Sequence, residues 1–368
     1  MPSFAPTLPA YGGPCLTGIV PALLGPRGTD ELPTWFPEPV RGARQVVVLV
    51  LDGLGWGQLE AARASLATLG SMAGGPITSV VPSTTATALT SITTGLPPGE
   101  HGVIGYRMVM RGEVLNVLRW STAAGDARMR LPPRRVQPVP AFLGAAVPVV
   151  SRIELTESGF TEAHLLGARH CGYRSASGLA VEVRRLLAAG ERLVYAYYDG
   201  VDKVAHEYGL GEHHRAELVA ADRLVGDVVD ALPPGAALLV TADHGQVDVG
   251  DRVLGLGSDL QGLVRQLSGE GRFRWLHAVP GAQDELRAAA TERFGDVAWV
   301  VGADEVIEGG WFGPCSPMIR ARMGDVALVA AEPVAFEDPA DRGPFQLVSR
   351  HGSLTADEMD VPLVAVAR

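Results

Sequence analysis

Two short apolar runs, Gln45–Leu51 (QVVVLVL) and Ala236–Thr241 (AALLVT), lack polar alternation, and each gives way to an acidic turn: Asp52-Gly53 after the first, Asp243-His244-Gly245 after the second. A strand with one wet face alternates apolar and polar residues, so an unbroken β-branched run reads as a strand covered on both faces, the habit of parallel sheets. Helical spacing lies between such runs, at Trp56–Leu69, in an Ala/Thr/Leu-rich stretch reaching Thr94 and closed by Gly95, and at Glu212–Leu232. In the last of these Leu218, Ala221, Val225, Val228 and Leu232 share one face, and Pro233-Pro234-Gly235 stops it. Arg192–Tyr198 and Val361–Ala367 read as further core strands. The alternation predicts an α/β fold, a three-layer sandwich with a mostly parallel central sheet flanked by helices.

The 368 residues are enough for one large α/β domain carrying an insertion. Residues 1–43, rich in Pro and Gly, read as an irregular leader packed on the domain. The core spans 44–250 and 351–368. Residues 251–350 form a smaller inserted lobe in which the pattern resumes less regularly, with Phe273–Val279, a helix at Ala282–Phe294 and a strand at Val297–Val301.

A formal net charge of -10 argues against a nucleic-acid polymer as partner. Lys203 is the sole lysine, which removes lysine as a general phosphate-gripping option. Cys15, Cys171 and Cys315 are odd in number and far apart, so neither a disulfide framework nor a Cys-X-X-Cys zinc site is expected. The first basic residue is Arg27 and no apolar run approaches the roughly 20 residues that span a bilayer. The expectation is a cytoplasmic protein with no membrane partner.

In open α/β sheets ligands bind beyond the carboxyl ends of the strands. Asp52, Asp243 and His244 belong at that edge, where each is also compatible with a cap or polar turn. Asp202 and His206 are four residues apart, so on a helix they share a face and suit either a metal or a surface pair. His351 comes just before the terminal strand, an unusual place for an imidazole unless it faces the sheet edge. Thr85, in Pro-Ser-Thr-Thr-Ala-Thr, belongs at a helix start, where free amides and the dipole favour an oxyanion; Thr84 and Thr87 suit caps or helix positions. Of the other histidines, His213 and His214 read as a solvated helix start, His164, His170 and His277 as structural, and His101 as fixing a turn.

Taken in order, Asp52, Thr85 within PSTTATALTSITTGLPPGEHG, Asp202-X3-His206 followed by Glu-Tyr-Gly, Asp243-His244-Gly and the late His351-Gly resemble the alkaline phosphatase superfamily, in particular its nucleotide pyrophosphatase/phosphodiesterase branch. The resemblance runs from about Val46 to the C-terminus and is weakest over Arg107–Val150 and the lobe. It implies two zinc ions, other divalent metals being possible: one held by Asp52, Asp243, His244 and the nucleophile Thr85, the other by Asp202, His206 and His351. Such a pair clamps the attacking and leaving oxygens of an in-line displacement, here through a phospho-threonine intermediate.

Members of that branch usually carry an asparagine three residues after the nucleophile, to contact a non-bridging phosphate oxygen, and here the position is Ala88. The Thr85 amide, or Tyr106 or Arg107, is the candidate substitute for binding substrate. The expected activity is therefore hydrolysis of phosphodiester or pyrophosphate bonds in a nucleotide or other small molecule. Phosphomonoester or phosphonate hydrolysis on the same site is the alternative, and a non-catalytic metal-binding scaffold the reading from another class. Trp120, Trp275, Trp311 and Phe312 are candidate stacking surfaces, or else core.

Overall fold

The computed structural model describes residue 2, residues 4–341 and residues 346–368, so four positions of the expected lobe, 342–345, lie outside the described residues. Seven strands make the central sheet, in the order Ala73–Thr78, Asp360–Ala367, Ala236–Thr241, Gln45–Leu51, Leu193–Tyr198, Pro148–Arg152 and Arg169–Tyr173. The last five are mutually parallel, and Asp360–Ala367 runs antiparallel to both its neighbours. Both runs that opened the sequence argument are buried almost throughout and lie side by side in register, Val46 opposite Ala237 and Val50 opposite Thr241. The two acidic turns therefore leave the same edge of the sheet.

The mostly parallel α/β sheet expected from the sequence is present, with helices packed on it. Helix Ala176–Ala188 lies across the Leu193–Tyr198, Pro148–Arg152 and Arg169–Tyr173 strands and against helix Glu212–Ala231. The structure shortens the helix expected at Trp56–Leu69 to Trp56–Ala62, followed by single 3-10 turns. The cause is tertiary: the Asp222 carboxylate accepts hydrogen bonds from the amides of Thr68 (3.1 Å) and Leu69 (2.7 Å), which a continuing helix would have used internally. Within residues 1–43, Leu16 and Ile19 are fully buried, Cys15 bridges to Thr78, and Ile19–Leu24 forms a short helix.

Between Val264 and Ala330 four strands form an antiparallel sheet in the order Val264–Gly269, Phe273–Ala278, Val326–Ala330, Ala298–Gly302. Alternation along Phe273–Ala278 divides its side chains: Phe273 and Trp275 join the main core, while Leu276 and Ala278 join a second cluster under helix Gln283–Phe294. A buried ion pair ties this sheet to the core. Arg272, in the turn before the second strand, donates through Nε and Nη2 to the two Glu358 oxygens at 2.8 Å each, and through Nη1 to the carbonyls of Glu332 and Val334. Glu358 also accepts from the Ser353 amide and the Thr355 hydroxyl, so both charges are desolvated, with every carboxylate oxygen and every guanidinium nitrogen hydrogen-bonded.

Removing one member of such a pair strands the other charge. Arg272→Met or Glu358→Met alone is expected to lower stability by about 3–5 kcal/mol in urea unfolding. The double substitution should recover most of that loss; equal loss in the double mutant would show that the pair is not what joins lobe to core.

Candidate active site

Each residue at the sheet edge is placed by a local necessity. Asp52 ends a buried strand, and Gly53 turns the chain with φ +78; a Cβ there would lie 2.5 Å from Gln246 Nε2 and 2.9 Å from Asp202 Cβ. Asp202 and His206 both lie on helix Gly200–Tyr208 and therefore share its inner face, with His206 Nε2 3.3 Å from Asp202 Oδ1. His351 is delivered by a two-residue pairing of Ser349–Arg350 with Val247–Asp248. Thr85 is the first residue of helix Thr85–Thr94, with Thr84 in extended conformation before it, and Gly95 ends the helix in the left-handed region.

All seven sequence-identified positions converge. His244 Nε2 lies 3.1 Å from Thr85 Oγ1, 3.4 Å from Asp243 Oδ2 and 3.5 Å from Asp52 Oδ1. His351 Nε2 is 3.9 Å from Asp202 Oδ1, and the His244 and His351 rings stack at 3.5 Å. Donor atoms of Asp202, His206 and His351 come together in one group, and those of Asp52, Asp202 and His244 in another, so the Asp202 carboxylate stands between the two.

Three observations fit this set to divalent cations. The Nδ1 atoms of His206, His244 and His351 each face a backbone carbonyl, of Ser349 (2.7 Å), Gly245 (3.1 Å) and Ser83 (2.9 Å). A proton on Nδ1 satisfies each carbonyl and leaves the Nε2 lone pairs turned toward the carboxylates, the tautomer that ligates metal. Asp52 Oδ1 and Asp243 Oδ2 are buried without a hydrogen-bond partner, although Asp52 Oδ2 accepts from Tyr197 and Asp243 Oδ1 from the amides of Gly53 and His244. Burial and the neighbouring carboxylates hold Asp52 well above the usual carboxylate range, burial raises Asp243, and burial together with His244 and His206 pushes His351 well below the usual imidazole value. Clustered groups that resist their charged forms are what a cation reverses.

The cluster opens into a cavity of about 760 Å³ that Thr85, Tyr106, Glu270 and Arg350 help to line. Of the two substrate-binding candidates, Tyr106 lines the cavity, whereas Arg107 does not; Arg107 is buried and ion-paired with Asp338. Ala88 is fully buried, away from the cavity lining. Trp120, Trp275, Trp311 and Phe312 are core residues, not stacking surfaces, because their strands and turns face the hydrophobic interior. His214 is buried as well, correcting its reading as solvated, while His213 stays exposed against Tyr208. His101 fixes its turn, facing the Ser91 hydroxyl and accepting from the Val103 amide.

Sequence reasoning missed Glu270. It sits at the tip of the lobe hairpin in Gly269-Glu270-Gly271, next to the clamped Arg272, and a lone carboxyl between two glycines was its only mark in the sequence. Its Oε1 is buried and unpartnered, and Gly352, beside His351, leaves it room: a Cβ there would fall 2.7 Å from Glu270 Cγ. Burial outweighs the pull of Arg274 and pushes the Glu270 carboxyl up to about 8.

Together the edge, the donor set and the hydroxyl form a candidate site for divalent cations beside a candidate nucleophile at a helix start. A family model described as type I phosphodiesterase / nucleotide pyrophosphatase matches residues 46–353, and the chain belongs to that family of phosphoester hydrolases. Comparison with curated proteins finds no sequence match. Among solved structures, murine ectonucleotide pyrophosphatase / phosphodiesterase 5 is similar with a TM-score of 0.64 at 15% identity, covering 88% of each chain. Phosphonoacetate hydrolase from Sinorhizobium meliloti 1021, solved with phosphonoacetate, is similar with a TM-score of 0.65 at 18% identity, over 88% of this chain and 90% of that one. At these identities the two structures show a shared fold.

The Glu270 environment has a measurable signature. A carboxyl with a raised folded pKa ionises more readily in the unfolded chain, so the stability it supports is complete below about 4.5 and is lost as pH rises toward about 8. In metal-free protein, the melting temperature of Glu270→Gln minus that of wild type should widen from pH 5 to pH 8 and level off above. A difference independent of pH would show that Glu270 ionises normally.

Proposed function

We propose that this chain hydrolyses phosphodiester or pyrophosphate bonds of a small molecule with two zinc ions, through a phospho-threonine on Thr85. The observation that carries the reading is the position of Thr85 Oγ1, 3.1 Å from His244 Nε2 and at the mouth of the cavity, beside carboxylate oxygens that have no other partner. Asp52, Asp243, His244 and Thr85 would hold one ion and Asp202, His206 and His351 the other. Bound there, zinc would lower the pKa of the threonine hydroxyl and take up charge on the departing oxygen.

The chain's own groups supply orientation and charge. As the first residue of a ten-residue helix, Thr85 brings a phosphoryl group to free backbone amides at the positive end of the dipole. The Thr85 oxygen bonds to phosphorus as the bond to the leaving oxygen breaks; water then cleaves the Thr85–phosphorus ester and restores the hydroxyl. Tyr106 supports the reading as a donor to a non-bridging oxygen. The Arg119 amide occupies Asn116 Oδ1 (3.0 Å), so the Asn116 amide nitrogen faces Tyr106 and donates to its oxygen (2.7 Å), which frees the phenolic proton for the cavity. Ala88 leaves that role open.

Phosphonate hydrolysis is the second reading. It is favoured by a cavity wall that is charged rather than aromatic among the described residues, and by a fold as close to the phosphonoacetate hydrolase as to the ectonucleotide enzyme.

Hydrolysis of bis(p-nitrophenyl) phosphate, p-nitrophenyl phosphate and phosphonoacetate tests both readings. With zinc supplied, the diester is expected to be the preferred substrate; chelation should abolish turnover, and Thr85→Ala should lower kcat on the order of 10³-fold or more. Activity that survives chelation or Thr85→Ala contradicts the mechanism. Preference for the monoester or the phosphonate keeps the mechanism and replaces the substrate class.

A further inference from the structure

Four arginines approach the substrate cavity or its wall, and two of them are already neutralised. Arg107 pairs with Asp338 and lies 3.8 Å from Asp341; Arg274 lies 3.5 Å from Asp338 and 3.9 Å from Asp341, and donates to the carbonyls of Gly269 and Phe336. These two arginines and two aspartates form a block of four charges compensated by ion pairs, although Arg274 Nε is itself buried without a hydrogen-bond partner.

Arg350 is different. It lines the cavity together with Thr85 and His351, it makes no ion pair or hydrogen bond through its side chain among the described residues, and its Nε is buried without a partner. Its guanidinium lies over the backbone of Gly271, close enough that a Cβ on that residue would fall 2.9 Å from Nη1. A guanidinium presents five donors in a rigid fork, and burying part of the fork unpaired forfeits its hydration with nothing in return. A side chain held this way beside a phosphoryl-transfer cluster is complementary to a planar or tetrahedral anion. Arg350 feels the Asp341 carboxylate only at a distance, without an ion pair, and Arg119, exposed where it lines the same cavity and without an ion pair among the described residues, adds a second positive charge.

The rest of the wall agrees. Glu337 is exposed and the neighbouring Asp338 and Asp341 are engaged with Arg107 and Arg274. Phe336 is 1% exposed, which leaves Tyr106 as the one aromatic ring among the described residues that could meet a flat ligand in this cavity. The cavity is equipped to grip charge.

We propose that Arg350 is a specificity residue that binds a second anionic group, a carboxylate or a phosphate, carried by the substrate in addition to the phosphoryl group presented to Thr85. The substrate class is then a small dianionic phosphoryl compound, in place of a diester with two uncharged substituents. The assignment of the phosphoryl end rests on the hydrolase reading above; the anion contact does not depend on turnover.

Equilibrium binding to the full chain with zinc supplied, for wild type, Arg350→Gln and Arg350→Lys, tests the assignment with three alkylphosphonates of matched length, each checked by phosphorus NMR to be intact after the measurement. Propylphosphonate has a neutral tail, 3-phosphonopropionate ends in a carboxylate, and ethane-1,2-diphosphonate ends in a phosphonate. Wild type is expected to bind one or both tailed anions about 10-fold or more tightly than propylphosphonate, a ratio that distinguishes carboxylate from phosphate preference. Arg350→Gln should collapse the ratio to near unity, and Arg350→Lys should restore part of it. Propylphosphonate binding reports in each variant that the protein is folded and the phosphoryl end intact. A wild-type ratio near unity, or a ratio that persists in Arg350→Gln, overturns the proposal. Because binding is read and not turnover, a protein with the ratio but no activity would overturn the hydrolase reading alone.

Discussion

Electrostatic repulsion at the carboxyl edge of the sheet governs the rest of this molecule. Parallel pairing of Gln45–Leu51 with Ala236–Thr241 drives Asp52 and Asp243 out of two adjacent buried strands into a space with almost no solvent, and Asp202 joins them from a helix. Burial drives the Asp52 and Asp243 carboxyls away from their charged forms, which a cation would restore. The architecture accepts this cost and adds to it, by turning three imidazole nitrogens inward through Nδ1 contacts to backbone carbonyls. Carboxylate oxygens and imidazole nitrogens in this mixture suit small divalent ions.

The four-stranded antiparallel sheet between Val264 and Ala330 contributes to the cavity as well. Its hairpin turn carries Glu270 into the cavity beside Gly352, and the next residues anchor the turn through the Arg272–Glu358 pair. Glu358 in turn accepts from Ser353 and Thr355, just after His351, so one buried carboxylate connects the lobe turn to the segment that delivers a metal-ligand candidate. The sheet edge and the cavity wall are thereby set relative to each other by a desolvated, directional contact, the kind that fixes geometry more reliably than apolar packing does.

The cluster of carboxylates and imidazoles at the sheet edge was legible in the sequence because its residues sit where local rules are strong: at the ends of unbroken β-branched strands, at i and i+4 on a short helix, at a helix start. The Gln45–Leu51 and Ala236–Thr241 strands have the bounds expected of them for the same reason. The cavity wall was not legible. Arg107 and Arg350 are both arginines near the site in sequence, and only tertiary placement of Asp338 decides that the first is neutralised while the second stays free. Glu270 depends on a hairpin whose first strand, Val264–Gly269, shows little apolar alternation, and the helix expected to reach Leu69 was cut short by a carboxylate more than 150 residues away. Trp120 and Trp275 show the same limit, since a large aromatic looks alike in sequence whether it faces a ligand or a core.

The claim on which everything else stands is that this edge binds a pair of metal ions, and diffraction from zinc-soaked crystals at the zinc absorption edge tests it most directly. The account predicts two anomalous peaks about 4 Å apart, one bounded by Asp52, Asp243, His244 and Thr85 and the other by Asp202, His206 and His351. A single peak, or zinc bound elsewhere while these side chains keep the hydrogen bonds described above, would contradict it.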